Sequence, residues 1–226
     1  MESNKYSLTE SLERIDRFFK GYNVVPGDIV EVNALRKCPV VVSKKYTLLL
    51  AKIDLNFGMK ELERPEGIYG AVYNELIEIA GSIGQCQCVN VAGDKLYAVY
   101  ETPMKKDVND VIDVAGSMCG IIDIINYKSS GFKSNRVKIT VSICYGQMDI
   151  LSYGNVRYNV IGDGQLADEA EQQFEFSESR VVISRIIFNN LKEDYKGLFK
   201  TLGFDWPYTG SIINTGMSNW LKGQMK

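Results

Sequence analysis

The chain has 226 residues, 45% of them hydrophobic, which is enough to bury a core in one or two domains without disulfides or metals. Its 26 basic and 28 acidic residues give a formal net charge of -2, so no overall positive field would attract nucleic acid or an anionic membrane. The absence of histidine excludes an imidazole base, a Cys-His dyad and a histidine-ligated zinc. Acid-base or metal chemistry must therefore rely on carboxylates.

The cysteines and the amino terminus bear on the cellular compartment. The five cysteines lack metal-ligand spacing, and Cys86 and Cys88 would point to the same face of a strand as reduced thiols. No stretch has the apolar length of a transmembrane helix, and MESNKYSLTE lacks the basic and apolar regions of a secretory signal. We therefore expect a soluble, cytoplasmic protein with no membrane and no nucleic-acid partner.

The first 43 residues predict a helix followed by an extended arm. The segment SLTE is a capping box, and apolar residues recur at helical spacing from Leu8 to Phe19. Pro26, Gly27 and Pro39 then separate short apolar runs. We place the main domain at residues 44–200 and a tail rich in glycine and aromatic residues at 201–226. The composition of the tail leaves open whether it docks or is disordered.

The main domain alternates strands with helices. In chain order, the patterns predict a strand over Tyr46–Asp54, a helix from Pro65, a hairpin over Val89–Tyr100, a long helix from Val108 to Ile125, an antiparallel hairpin of Val137–Tyr145 and Met148–Tyr153 about a Gly146-Gln147 turn, a strand over 156–161, a helix after Gly162-Asp163, and a strand over Val181–Ser184. This order predicts an α+β fold of the ferredoxin-like palm type, with helices packed on an antiparallel-rich sheet.

Two carboxylates stand at the ends of neighbouring predicted strands. Asp54 closes the apolar run YTLLLAKID, and Asp94 lies in the tight turn AGDK. Each alone is an ordinary strand-end or turn residue. Together they suit a pair of divalent ions, Mn²⁺ or Mg²⁺, that promotes a displacement at phosphorus. Because no P-loop sequence is present, the backbone amides of Asn56, Phe57 and Gly58 are candidate triphosphate ligands.

From about Tyr46 to Leu191 the chain resembles class III nucleotidyl cyclases, and more closely the pyrimidine cyclases of Pycsar anti-phage defence. Asp54 and Asp94 match the two metal aspartates of the family, and Leu55 matches the residue whose backbone carbonyl is a further ligand. The hairpin VNVAGD, the segment ETP after it and the segment DIINYK add to the resemblance.

The resemblance also implies a substrate and an assembly. Asn90 stands where adenylate and guanylate cyclases carry a charged base-reading residue, and Asn159 falls on the second base-reading position. Amides both donate and accept hydrogen bonds, which suits uracil or cytosine. The implied enzyme is a homodimer in which metal residues of one chain face base-reading residues of the other. It converts UTP, or less readily CTP, to a 3′,5′-cyclic monophosphate that acts on a separate effector.

The helix after Gly162-Asp163 departs from the family pattern. The transition-state asparagine and arginine of the family align with Leu166 and Ala170, and Thr140 stands where many members place a triphosphate-binding arginine. Loss of such donors usually lowers the rate strongly. Either the enzyme is slow or silent, or other polar residues substitute, with candidates at Lys52, Lys95, Arg157 and Gln165.

Two alternatives therefore stay open. One is a catalytically degenerate nucleotide-binding or dimerisation module, which Leu166 and Ala170 support. The other is a purine cyclase, which Asn90 disfavours.

Overall fold

The computed structural model describes residues 6–20, 40–55, 65–129, 137–153, 156–160, 165–176, 180–201 and 207–224. The strands are β1 (Val40–Leu55), β2 (Cys86–Ala92), β3 (Lys95–Tyr100), β4 (Val137–Tyr153), β5 (Val156–Val160), β6 (Val181–Ile183), β7 (Phe199–Thr201) and β8 (Tyr208–Gly210). The helices are α1 (Leu8–Lys20), α2 (Pro65–Gly81), α3 (Lys105–Lys128), α4 (Gln165–Gln172), α5 (Arg185–Asn190), α6 (Glu193–Lys196) and α7 (Thr215–Gln224), and a short 3₁₀ helix spans Gln173–Phe176.

The strands form one sheet in the order β2-β3-β1-β4-β6-β8-β7, with β5 paired to β4. Within the described residues, β4 and β6 are parallel and the other paired strands are antiparallel. The predicted α+β fold with an antiparallel-rich sheet is confirmed.

Strands β1 and β4 pair along their full length. The register runs from Val40 opposite Ser152 to Leu55 opposite Val137. The predicted hairpin about Gly146 and Gln147 is therefore wrong, since both residues lie inside one continuous strand. Gly146 has a packing role instead: a Cβ atom there would lie 3.1 Å from Cδ1 of Leu166, on the helix above.

The two faces of the sheet bury separate clusters of apolar side chains. On β1, Leu49, Ala51 and Ile53 point to the face that α2 and α3 cover, whereas Leu48 and Leu50 point to the face that α4 covers. This alternation follows from the two-residue period of a strand. Asp54 and Lys52 share the period of Leu48 and Leu50, so they lie on the α4 face.

Cys86 and Cys88 pack in different clusters, which corrects the expectation of a shared face. Cys86 packs with the cluster under α2 and α3, and Cys88 belongs to the cluster under α4. The cause is a register irregularity between them, where an extra residue in β2 shifts the alternation. The four described cysteines are reduced thiols: Cys86, Cys88, Cys119 and Cys144.

Elements from both ends of the chain contact the central sheet and its helices. Helix α1 packs on α2, where the fully buried carboxylate of Glu75 accepts hydrogen bonds from Ser11 and, at 2.8 Å, from Arg14 Nε. Strand β8 joins the sheet, and Met217 of α7 packs against Gly120 of α3. The tail is thus docked from residue 207 to 224, while the division of the chain at residues 44 and 200 stays a prediction.

Candidate functional site

The turn between β2 and β3 is held against the end of β1. Gly93 adopts a φ of 61°, a left-handed conformation that glycine adopts without steric cost. The backbone carbonyl of Asp94 accepts a hydrogen bond of 2.8 Å from the backbone N–H of Ile53. The hydroxyl of Tyr73 on α2 donates to the carbonyl of Gly93 at 3.0 Å. Three elements therefore fix the position of Asp94 relative to Asp54.

An open cleft of about 560 Å³ lies at this end of the sheet. The predicted metal ligands Asp54, Leu55 and Asp94 all line it, and both carboxylate residues are exposed. The remaining lining residues come from β1, α2 and the hairpin turn: Lys52, Ile53, Tyr69, Tyr73 and Gly93. The fold thus brings together residues that are 40 positions apart in the sequence.

The donor set of the cleft fits a hard divalent cation. Asp54 and Asp94 offer carboxylate oxygens, and Mg²⁺ is commonly held by one or two carboxylates together with substrate phosphates. In the part of the chain that the structure describes, no group of three or more acidic, cysteine or histidine side chains could hold a metal ion. A cation at Asp54 and Asp94 would therefore need further oxygen ligands from the backbone, water or a bound molecule. Mg²⁺ and Mn²⁺ both bind carboxylate, carbonyl and water oxygens.

The Asp94 carboxylate contributes to a raised pKa of Tyr73, the tyrosine whose hydroxyl donates to the turn. The pKa of Tyr73 is raised, first by partial burial, then by the nearby Asp94 carboxylate and then by Tyr69. A raised pKa keeps the phenol protonated, so its O–H remains a donor to the carbonyl of Gly93. Tyr69 and Tyr73 are site residues that the sequence reasoning missed. The only signal in the sequence is their four-residue spacing, which places both on one side of a helix.

The predicted base-reading residues lie outside the carboxylate cleft. Asn90 is a partly exposed residue of β2 whose partner on β3 is Tyr97. Asn159 pairs through its backbone with Ile150, and its strand β5 has Cα atoms within 8 Å of those of β2. Asn90 is thus on the strand at one end of the sheet order and Asn159 is on a strand paired to β4, and neither is among the described residues that line the cleft of Asp54 and Asp94. The predicted triphosphate ligands Asn56, Phe57 and Gly58 lie outside the described residues.

The two residues of α4 that depart from the family pattern, Leu166 and Ala170, face the sheet. Leu166 is 6% exposed and Ala170 is fully buried, both in the cluster with Leu48 and Leu50. A side chain at either position packs the helix onto the sheet and does not face the open side. The outer side of α4 carries polar residues that border a second opening of about 480 Å³ with Lys52 and Lys95: Asp168, Glu171 and Gln172.

Lys95 and Glu171 tie α4 to the hairpin. Lys95 Nζ lies 2.6 Å from Glu171 Oε1, and the Tyr97 hydroxyl donates to the same oxygen at 3.4 Å. The hydrogen bond with Glu171 raises the pKa of Lys95. Thr140 is half-buried on β4 and is the direct partner of Lys52 on β1.

Comparisons with known proteins agree with this fold. No protein-family model matches the chain. A uridylate cyclase from Treponema porcinum is 22% identical over 159 residues, a match that covers 66% of this chain and 56% of that protein. The chain therefore spans little more than half of this relative's length.

None of the described helices is both long and apolar enough to cross a membrane.

Two solved structures from Pseudomonas aeruginosa superpose on the chain. A class III adenylyl cyclase-like ATP-binding protein gives a TM-score of 0.60 at 14% identity, covering 95% of this chain and 49% of that one. The adenylyl cyclase CyaB gives 0.58 at 17% identity, covering 75% of this chain and 93% of that one. The chain has the fold of class III cyclase catalytic domains, and its resemblance to class III nucleotidyl cyclases, with a uridylate cyclase among its relatives, is confirmed.

Proposed function

We propose that the chain is a pyrimidine nucleotide cyclase that converts UTP, and less readily CTP, to its 3′,5′-cyclic monophosphate and pyrophosphate. The observation that carries the proposal is the convergence of Asp54 and Asp94 on one open cleft. The hydrogen bond from Ile53 to Asp94 holds the two strand ends together. The similarity to a uridylate cyclase supports the choice of a pyrimidine.

The reaction forms one bond at the α-phosphorus and breaks another. The ribose 3′-oxygen loses its proton to solvent and bonds to the α-phosphorus, while the bond from that phosphorus to the bridging oxygen breaks and pyrophosphate leaves. Mn²⁺ or Mg²⁺ ions, when bound, supply the Lewis acidity that favours both changes. Asp54, Asp94 and the carbonyl of Leu55 would hold two such ions. Tyr73 and the main chain of Ile53 keep Asp94 in position.

The resemblance to class III cyclases supports a two-chain site, and the placement of Asn90 agrees with it. Asn90 precedes Asp94 by four residues on a strand, which at about 3.3 Å per residue separates them by up to ~13 Å. A nucleotide with its phosphates at Asp54 and Asp94 would then receive base contacts from Asn90 and Asn159 of a second copy. The proposed enzyme is therefore a homodimer with its sites at the interface, and its cyclic product signals to a separate effector in anti-phage defence.

The test is a substrate panel. Purified protein is incubated with Mn²⁺ and, separately, UTP, CTP, ATP or GTP, and the products are identified by mass spectrometry. The proposal expects cyclic UMP as the main product and cyclic CMP as the next. Faster formation of cyclic AMP or cyclic GMP would identify a purine cyclase instead.

A second candidate is a nucleotide-binding module without turnover. The buried Leu166 and Ala170 favour it, because neither position on α4 offers a polar group to the transition state. This candidate expects UTP binding by calorimetry with no cyclic product from any of the four nucleotides.

A further inference from the structure

Lys52 lines two openings, the cleft at the end of the sheet and the opening beside α4. It lines the cleft that contains Asp54 and Asp94, and it also lines the opening beneath the outer side of α4. It is exposed, and it lies two residues before Asp54 on β1. The alternation of a strand therefore directs both side chains to the same face.

The position of Lys52 in the sheet is unusual for a solubilising lysine. Lysines often protect exposed sheet edges, but β1 is a central strand between β3 and β4. Its direct partners are Lys95 on β3 and Thr140 on β4. Two like charges in direct cross-strand register destabilise a sheet. A pair of opposed lysines therefore needs negative charge nearby.

Glu171 supplies that charge to one of the two lysines. It forms the 2.6 Å ion pair with Lys95 and also accepts a hydrogen bond from Tyr97. Among the described residues, no carboxylate oxygen lies within 4.0 Å of Lys52 Nζ, the distance limit for an ion pair. Lys95 is thus paired with a residue of α4, whereas Lys52 lines the cleft that contains Asp54 and Asp94.

We infer that Lys52 binds the triphosphate of the nucleotide and so provides positive charge that Leu166 and Ala170 cannot provide. This inference rests on the proposed function, because its ligand is the substrate of that reaction. Lysine is a compact point charge on a flexible stem and a common phosphate ligand. A cation here offsets the repulsion between a polyphosphate and the two carboxylates of the same cleft.

Lys95 acts in this arrangement as a positioning residue. Its ion pair with Glu171 holds α4 over the sheet and removes the competing carboxylate from Lys52. Two neighbouring lysines that the sequence alone does not distinguish therefore have different roles.

The test measures binding of inorganic tripolyphosphate in the presence of Mg²⁺ by calorimetry, so that neither base recognition nor turnover is required. Lys52→Gln should weaken binding by about tenfold or more, the scale of one lost hydrogen bond to a charged group. Lys52→Arg should restore most of the affinity, because it keeps the charge. The matched control is Lys45→Gln, an exposed lysine seven residues earlier on β1 and about 23 Å away, which should bind like the wild type.

The outcomes separate this inference from the proposed function. Equal tripolyphosphate affinity in Lys52→Gln and Lys45→Gln, or no binding by the wild-type chain, overturns the role of Lys52 even if UTP is cyclised. Selective loss in Lys52→Gln with rescue by Lys52→Arg supports the role even if no nucleotide is cyclised. Thermal unfolding of each variant checks that the change in affinity does not come from a misfolded chain.

Discussion

The backbone of Ile53 donates a hydrogen bond of 2.8 Å to the backbone of Asp94. This contact joins the end of a central strand to a hairpin turn across 41 positions of the sequence. It places two exposed carboxylates beside one cleft through a contact between backbone groups. A substitution of either carboxylate leaves this backbone contact in place.

Neutralising either carboxylate should abolish cyclisation and leave the fold intact. In Asp54→Asn or Asp94→Asn the cation loses a charged ligand, and the expected rate falls at least about a hundredfold, the scale of removing one preorganised electrostatic group. Both residues are exposed, so the free energy of unfolding without metal should stay equal or rise as repulsion is relieved. Product formation, Mn²⁺ binding by electron paramagnetic resonance and thermal unfolding are measured together. Near wild-type turnover in either variant would refute the metal assignment.

Replacing Asn90 should change the choice of base. Asn90→Ala leaves hydrogen-bonding groups of the base unpaired, which costs about 1 to 3 kcal/mol in pyrimidine turnover. The measurement is kcat/KM for UTP, CTP, ATP and GTP with the wild type and the variant. An unchanged order of preference among the four nucleotides would contradict a base-reading role for Asn90, whatever the absolute rates.

Two impaired variants should complement each other if the site forms between two chains. Asp94→Asn retains Asn90, and Asn90→Ala retains Asp94, so a mixed dimer would contain one site with both residues intact. Cyclisation by the mixture should exceed the sum of the separate variants. Light scattering gives the assembly state alongside the assay. A fully active monomer, or a mixture no faster than the sum, would argue against the two-chain site.

The docking of the tail on α3 should depend on small residues. A Cβ atom at Gly116 would lie 2.6 Å from Cγ2 of Ile212 and 3.4 Å from its Cβ. Overpacking costs about 1 to 3 kcal/mol, and the gain in helix propensity offsets about 1 kcal/mol of it. We therefore expect Gly116→Ala to lower the free energy of unfolding by up to about 2 kcal/mol.

Gly81→Ala is the matched control for this prediction, since Gly81 is also helical and nothing lies within 4 Å of its added Cβ. That variant should be as stable as the wild type or more stable. Urea unfolding of both variants measures the two free energies of unfolding. Equal stabilities would show that the tail moves away from α3 at little cost.

Several features of this chain could be predicted from the sequence because they depend on local chemistry. The turn at Gly93 and Asp94 follows from the need for a positive φ next to two alternating strands. Asp54 could be placed at a strand end because the apolar run before it stops there. The family resemblance then linked the two aspartates, which no local pattern does. The α+β class followed from the order of the elements.

Other features depend on contacts between distant residues and could not be predicted. Gly146 has the composition of a turn, yet it lies inside β4, because β1 offers backbone partners along the whole strand and Leu166 needs the space that a side chain would occupy. The separation of Cys86 from Cys88 depends on an irregularity in the pairing of β2 with β3. Neither effect leaves a periodic pattern in the sequence.

Lys52 and Lys95 also show the difference between what the local sequence sets and what contacts between distant residues set. That both are strand lysines close to the two aspartates could be predicted from the sequence, because spacing alone sets that distance. The fold, in contrast, pairs Lys95 with Glu171, 76 residues later in the chain, and places Lys52 at the cleft. The reason is physical: strand alternation is a property of the local backbone, whereas an ion pair requires α4 to pack over the sheet and bring a distant carboxylate within 4 Å.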